Sequence, residues 1–163
     1  MGDRAPRGYE SALLRNSVSC PWHAVHMTRV GVATSSDLAY FSEREHVSAS
    51  EIQAILRRGR ILVAQNPGES TPVGWLRWGL FWDEVPFMNR LHVVDGHRHG
   101  GIGQLLVTEW ESQCREEGHA LVMTSTLSNE SAQHFYRRIG YHDAGCLLLP
   151  DEALEILFAK KVA

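Results

Sequence analysis

Arg98, Gly101 and Gly103 stand where an apolar run, Leu91-His92-Val93-Val94, gives way to a segment with apolar residues at 102, 105 and 106. That pattern predicts a buried strand, a glycine-rich turn and a helix. The first N–H groups of a helix have no internal partner, and the macrodipole places positive charge beside them. Bare glycines let an anion approach those donors, so the spacing points to a site for a phosphorylated small molecule. A turn that merely permits tight packing is the competing reading. A phosphate-binding P-loop is excluded, because Gln104 and Leu105 follow Gly103 where Lys and Ser or Thr would be needed. A dinucleotide fingerprint is also a poor fit, since Leu106 occupies the place of its third glycine.

Further along, residues 129–141 read Asn-Glu-Ser-Ala-Gln-His-Phe-Tyr-Arg-Arg-Ile-Gly-Tyr. Apolar positions 132, 135, 136 and 139 share one helical face. Asn129 is expected to cap that helix and Gly140 to end it. Arg98-x-x-Gly101-x-Gly103 resembles motif A of the Gcn5-related N-acetyltransferases (GNAT). Asn129, Ala132, Phe135, Tyr136, Gly140 and Tyr141 resemble the same family's motif B. The two stand in the family's order, separated by one amphipathic helix and one strand. The family commonly has Arg-Gly-Lys/Arg-Gly-x-Gly, whereas His99 and Gly100 fill the middle here. Asp95 stands where a proline is frequent.

The elements around these motifs follow from periodicity and turn residues. Met27 to Ala33 is expected to be the first strand, and Ser36-Asp37 to cap a helix reaching about His46. Ser48 or Ser50 caps a second helix that ends at Gly59. Strands are expected at 60–65 and 73–82, then from Pro86 into the glycine turn. A helix over 102–117, a strand over 120–126, the motif B helix, and strands at 145–149 and 154–162 complete the order. In the strand over 73–82, Leu76, Trp78, Leu80 and Trp82 share one face and Trp75, Arg77 and Phe81 the other. The core is the favoured place for Trp78 and Trp82. The order implies an α/β (mixed α+β) domain with a mixed sheet flanked by helices on both faces, mostly antiparallel as the resemblance implies. It matches the GNAT acyl-CoA N-acyltransferase fold. Residues 27–163 are expected to form that domain, with 1–26 as an N-terminal extension.

The resemblance implies acetyl transfer from acetyl-CoA to a primary amine, with no metal. The pyrophosphate would take N–H groups of His99, Gly100, Gly101, Ile102, Gly103 and Gln104, with Arg98 at the turn. The peptide-like pantetheine arm would pair with backbone about Val93 and Val94, and Asn129 would hydrogen-bond it. Tyr136 matches the family's general acid for the leaving thiolate. Its alternative is a core tyrosine with a satisfied hydroxyl. The attacking amine must shed a proton, so a base or water relay is required. Glu84 ranks first and His92 second, each with an ordinary alternative: a solvated loop carboxylate and a satisfied histidine under a helix.

The family's acceptor sites imply a pocket from Phe41 and its neighbours, residues 75–87 and residues 146–154. Its aromatic residues would suit a small-molecule amine. A protein acetyltransferase acting on Lys or an N-terminus is the close variant. A non-catalytic acyl-CoA-binding module would keep the turn but would not need Tyr136. Cys114 and Cys146 are expected to pack rather than carry an acyl group, which favours direct transfer in a ternary complex.

At 163 residues with 44% hydrophobic and 21% charged residues, the chain has the size and composition of one globular domain. A net charge of −3 argues against nucleic-acid binding by bulk electrostatics. No apolar run reaches the roughly 20 residues that span a bilayer, so no membrane partner is expected. Three widely spaced cysteines form no metal motif and point to a reducing, cytoplasmic setting. A homodimer is compatible with the resemblance but nothing in the chain demands it.

Overall fold

The computed structural model describes residues 28–163. The expected extension over 1–26, the start of the first strand at Met27, and Cys20 lie outside the described residues. The elements run β1 (Arg29–Val32), a 3-10 turn (Ser35–Asp37), α1 (Leu38–Ser42), α2 (Ala49–Arg57), β2 (Ile61–Gln65), β3 (Gly74–Phe81) and β4 (Val85–Val93). They continue as α3 (Ile102–Glu116), β5 (Leu121–Leu127), α4 (Ala132–Arg138), β6 (His142–Leu147) and β7 (Glu155–Lys161). The order of strands and helices is the one the periodicity implies.

The seven strands of the described residues form one sheet in the order β1-β2-β3-β4-β5-β7-β6. Every pairing is antiparallel except β4 with β5. Alternation along the strands splits the core in two. Leu62, Ala64, Leu76, Trp78 and Met88 pack with α3 through Leu106, Val107 and Trp110, and with Tyr136 of α4. Ile61 and Trp75 pack on the other face with Phe41 of α1 and Ile52, Ile55 and Leu56 of α2. Helices therefore cover both faces.

Three local expectations are corrected. The first helix stops at Ser42 rather than near His46. The chain turns there through the N–H groups of Arg44 and Glu45, both donating to Phe41 O, which swings Glu45 under the sheet. Trp82 is not in the core but 80% exposed. Strand β3 ends at Phe81, and Trp82 and Asp83 both take positive φ in a turn closed by Glu84 N–H on Phe81 O, as tight hairpins require. Asn129 does not cap α4: the cap is Ser131, and Asn129 lies exposed in the preceding turn. Gly140 does end that helix at φ +92, and Ser48 caps α2, accepting the Glu51 N–H.

Candidate active site

The glycine turn opens α3 as the sequence implies. Gly101 is its N-cap at φ +88. The first intrahelical bond runs from Leu105 N–H to Gly101 O at 2.9 Å. The N–H groups of Ile102, Gly103 and Gln104 thus lack intrahelical partners at the positive end of a 15-residue helix. His99 also sits at positive φ, +62, which explains why a glycine is common there in the resembling motif; histidine is among the few other residues that enter this region. Gly103 is not required by packing, because a Cβ there would meet Leu91, Phe135 and Val93 at an ordinary 3.7 Å. Arg98 builds the turn: its Nε donates to Val93 O at 3.1 Å and its Nη2 pairs with Asp95 at 3.1 Å.

The strand feeding this turn is bent. Arg77 pairs with Arg90 but Trp78 with Met88, which leaves Asn89 as an extra residue in β4, a β-bulge. Parallel pairing with β5 covers only Phe87 with Met123 and Met88 with Thr124. Past that point the two strands are no longer paired, which leaves a cleft between them on the side of the glycine turn. Backbone groups of successive strand residues point to alternate sides. Val94 N–H donates to Val73 O, the residue just before β3, so its N–H is turned away from the cleft. Val93 lies between, with its backbone on the cleft side and its carbonyl held by Arg98.

Tyr136 sits at the apex of this cleft, its phenol beside the Thr124 hydroxyl. That hydroxyl donates to Met88 O at 3.0 Å. Thr124 and Met88 are the last parallel pair. Burial pushes the Tyr136 pKa above its usual value, partly opposed by the Thr124 contact. The phenol therefore keeps its proton at neutral pH. The Asn129 side chain makes no hydrogen bond among the described residues, and Gln133 Nε2 holds its neighbour Ser128 through the carbonyl at 2.6 Å.

The two base candidates part company. Glu84 is exposed in the β3–β4 hairpin turn, five residues before the bulge, or about 16 Å along the strand. His92 is half-buried on β4 and stacks on Trp75, ring centroids 4.1 Å apart. Burial lowers its pKa below 6.5, and the nearby Arg90 and Arg98 charges lower it further, so its imidazole is neutral at pH 7. A cavity of about 310 Å³ opens beside it, lined among others by Tyr40, Arg44, Trp75, Arg90 and Asp95. Of the aromatic residues expected to line an acceptor pocket, Trp75 does so, while Phe41 is fully buried behind it. Cys114 is buried on α3 with its thiol pushed up to about 12 by burial, and Cys146 is exposed on β6.

Glu45, Arg77 and Arg90 carry no motif and escape sequence reasoning. The Glu45 carboxylate is wholly buried, accepting from Trp75 Nε1 at 2.6 Å and Arg77 Nε at 3.1 Å, with Arg90 Nε at 3.6 Å. The signal appears only once β3 and β4 are in register, with Arg77 directly opposite Arg90: like charges on paired strands need a carboxylate between them.

If the turn holds phosphate, Gly101→Val has a specific outcome. A branched residue at φ +88 costs about 1–3 kcal/mol and displaces the first turn of α3. Acetyl-CoA affinity should fall at least roughly tenfold, the worth of one charge-assisted hydrogen bond or more. Gly118→Val is the matched control: it carries similar strain at φ +90 with open space around it, at the far end of α3. Calorimetry should show lost acetyl-CoA binding for Gly101→Val only; equal binding by both variants removes the phosphate role.

The sequence profile of the acetyltransferase (GNAT) family matches residues 30–141. No curated protein matches this chain. Among solved structures, a GNAT-family acetyltransferase from Bacillus cereus ATCC 10987 is 22% identical, with a TM-score of 0.68 over 83% of this chain and 97% of that one. The ribosomal-protein-S18-alanine N-acetyltransferase of Escherichia coli is 16% identical, with a TM-score of 0.66 over 84% and 95%. YncA of Salmonella typhimurium, solved with its cofactor acetyl-CoA, is 13% identical, with a TM-score of 0.66 over 84% and 95%. These likenesses concern the fold, while the profile spans more than two-thirds of the chain and includes the glycine turn, the bulged strand and Tyr136. The chain belongs to the acetyltransferase (GNAT) family, the acetyl-CoA-dependent N-acyltransferases.

Proposed function

We propose that this enzyme acetylates the primary amine of a small molecule by direct transfer from acetyl-CoA in a ternary complex. The observation that carries the reading is the placement of Tyr136 at the apex of the β4–β5 cleft, with a separate small cavity against β4. The free N–H groups of Ile102, Gly103 and Gln104, with those of His99, Gly100 and Gly101, suit the pyrophosphate. The cleft-side backbone at Val93 and the unengaged Asn129 amide suit the pantetheine arm. Acetyl-CoA supplies the activated thioester. The cytoplasm is the proposed setting, consistent with the absence, among the described residues, of a helix long and apolar enough to cross a membrane.

The acceptor nitrogen attacks the acetyl carbonyl carbon with its lone pair; the C–N bond forms and the C–S bond breaks. Tyr136 gives its phenolic proton to the departing sulfur. His92, neutral and beside the cavity, takes the proton released from nitrogen directly or through one water. Solvent then returns a proton to Tyr136 and removes one from His92, so the net change moves one proton from amine to thiol. Glu84 is too remote for this role.

The pH profile follows from the sign of the His92 shift. A base with its pKa lowered below 6.5 is active above that pKa and protonated below it. The enzyme's kcat/KM should fall in acid through an apparent pKa below 6.5. That limb should vanish in His92→Gln; an unchanged limb assigns the proton to another group. Mass spectrometry of products from mixed small amines and lysine or N-terminal peptides tests the acceptor class. Acetylation of free amines at far higher kcat/KM is expected, and preferential peptide acetylation would reverse the assignment.

A further inference from the structure

The cavity beside His92 is charged in a way that an amine alone does not explain. Glu45 is the one buried carboxylate beneath it, and two guanidinium groups share it. Arg77 is buried and hydrogen-bonded to it at 3.1 Å. Arg90 approaches only to 3.6 Å, too far for a hydrogen bond, and its buried Nε has no hydrogen-bond partner among the described residues. Its side chain is 35% exposed and lines the cavity, so one positive charge of the trio is left over on that wall. Arg44 stands at the rim, fixed over the Tyr40 ring at 4.0 Å and donating to Tyr40 O and Glu43. The opposing acid, Asp95, is engaged by Arg98. His92 on the same wall is neutral.

Arg90 also follows the bulge residue Asn89 directly, so its side chain leaves β4 where that strand parts from β5. The surplus charge thus lies beside the place where the acetyl group would be transferred. An acceptor whose only charged group is an ammonium would be repelled by it. An acceptor that also carries a carboxylate would be held by it, through the planar donor fork that guanidinium offers to carboxylates.

We propose that the acceptor is a small amine bearing a carboxylate, the chemistry of an amino acid, and that Arg90, with Arg44 at the rim, is the specificity-determining anion site. This rests on the acetyl-transfer reading above. The cavity of about 310 Å³ is at the small end of ligand sites and suits such a molecule.

The test compares the twenty amino acids with their amides, and with polyamines, in an acetyl-CoA thiol-release assay. Free acids should exceed their amides in kcat/KM by about tenfold to a hundredfold for the preferred side chain. Arg90→Met should raise the KM of the acid by a similar factor, erase the acid-over-amide preference and leave acetyl-CoA affinity unchanged. Arg44→Met should act in the same direction. The CoA-loaded protein should bind the N-acetylated amino acid, the product, and not its amide, as read by calorimetry. Equal turnover of acids and amides, or preference for polyamines, would overturn the anion site while leaving acetyl transfer intact. Acetyl-CoA binding with neither turnover of any acid nor product binding would overturn the anion site alone. Failure to bind acetyl-CoA would overturn both readings.

Discussion

Tyr136→Phe is expected to lower kcat by about a hundredfold, within the usual worth of a positioned general acid, with acetyl-CoA affinity unchanged. The phenylalanine keeps the ring contacts with Tyr141 and Phe158 and removes only the hydroxyl. The Thr124 hydroxyl keeps its bond to Met88 O, so the fold survives and the kinetic effect is separable from stability. The proton at issue is secure: burial raises the phenol's pKa above its ordinary value of 10.0. The effect should be largest for acceptors whose attack makes thiolate departure limiting. Stopped-flow thiol release at saturating substrates reads it directly. An unchanged kcat would make Tyr136 a packing residue that merely ends the cleft.

Glu45→Ala is expected to be the most destabilising single change near the site, by about 3–5 kcal/mol, because it strands two guanidinium groups and an indole N–H without their acceptor. The Glu45 carboxylate is 0% exposed and ties α1's end to β3 through Trp75 and Arg77. For a domain of this size the melting temperature should drop by roughly 10 °C. Pairing the change with Arg77→Met should recover part of the loss, since removing a charge with its partner is far cheaper than orphaning it. Thermal unfolding of the two variants provides the measurement. A shift of less than about 2 °C in the single variant would mean that water or another group replaces the carboxylate.

Much of this site was legible because its parts are local. The glycine turn announces itself in a strand-to-helix switch, and Tyr136 lies at helical spacing from Ala132 and Ile139. What was illegible depends on pairing between distant segments. The bulge at Asn89 exists only against β3, so neither the parting of β4 from β5 nor the side to which Val93 and Val94 turn their N–H groups can be read from 85–94 alone. Trp82 continues the alternation of β3 in sequence, yet the hairpin closes at Phe81 and puts it in solvent. Asn129 is a good cap by type, but the turn after β5 runs two residues further, to Ser131. Glu45 falls within the helix that the sequence implies to about His46. Only the arginines across β3 and β4 reveal why α1 ends early and turns it inward.

In the proposed reaction the cleft between β4 and β5, from the glycine turn to Tyr136, holds acetyl-CoA for transfer to an amine. Calorimetric titration with acetyl-CoA, followed on the same sample by thiol release with an amine panel, tests it most directly. One-to-one binding in the micromolar range is expected, with release of CoA only when a suitable amine is present. Absence of acetyl-CoA binding by the folded protein would contradict it.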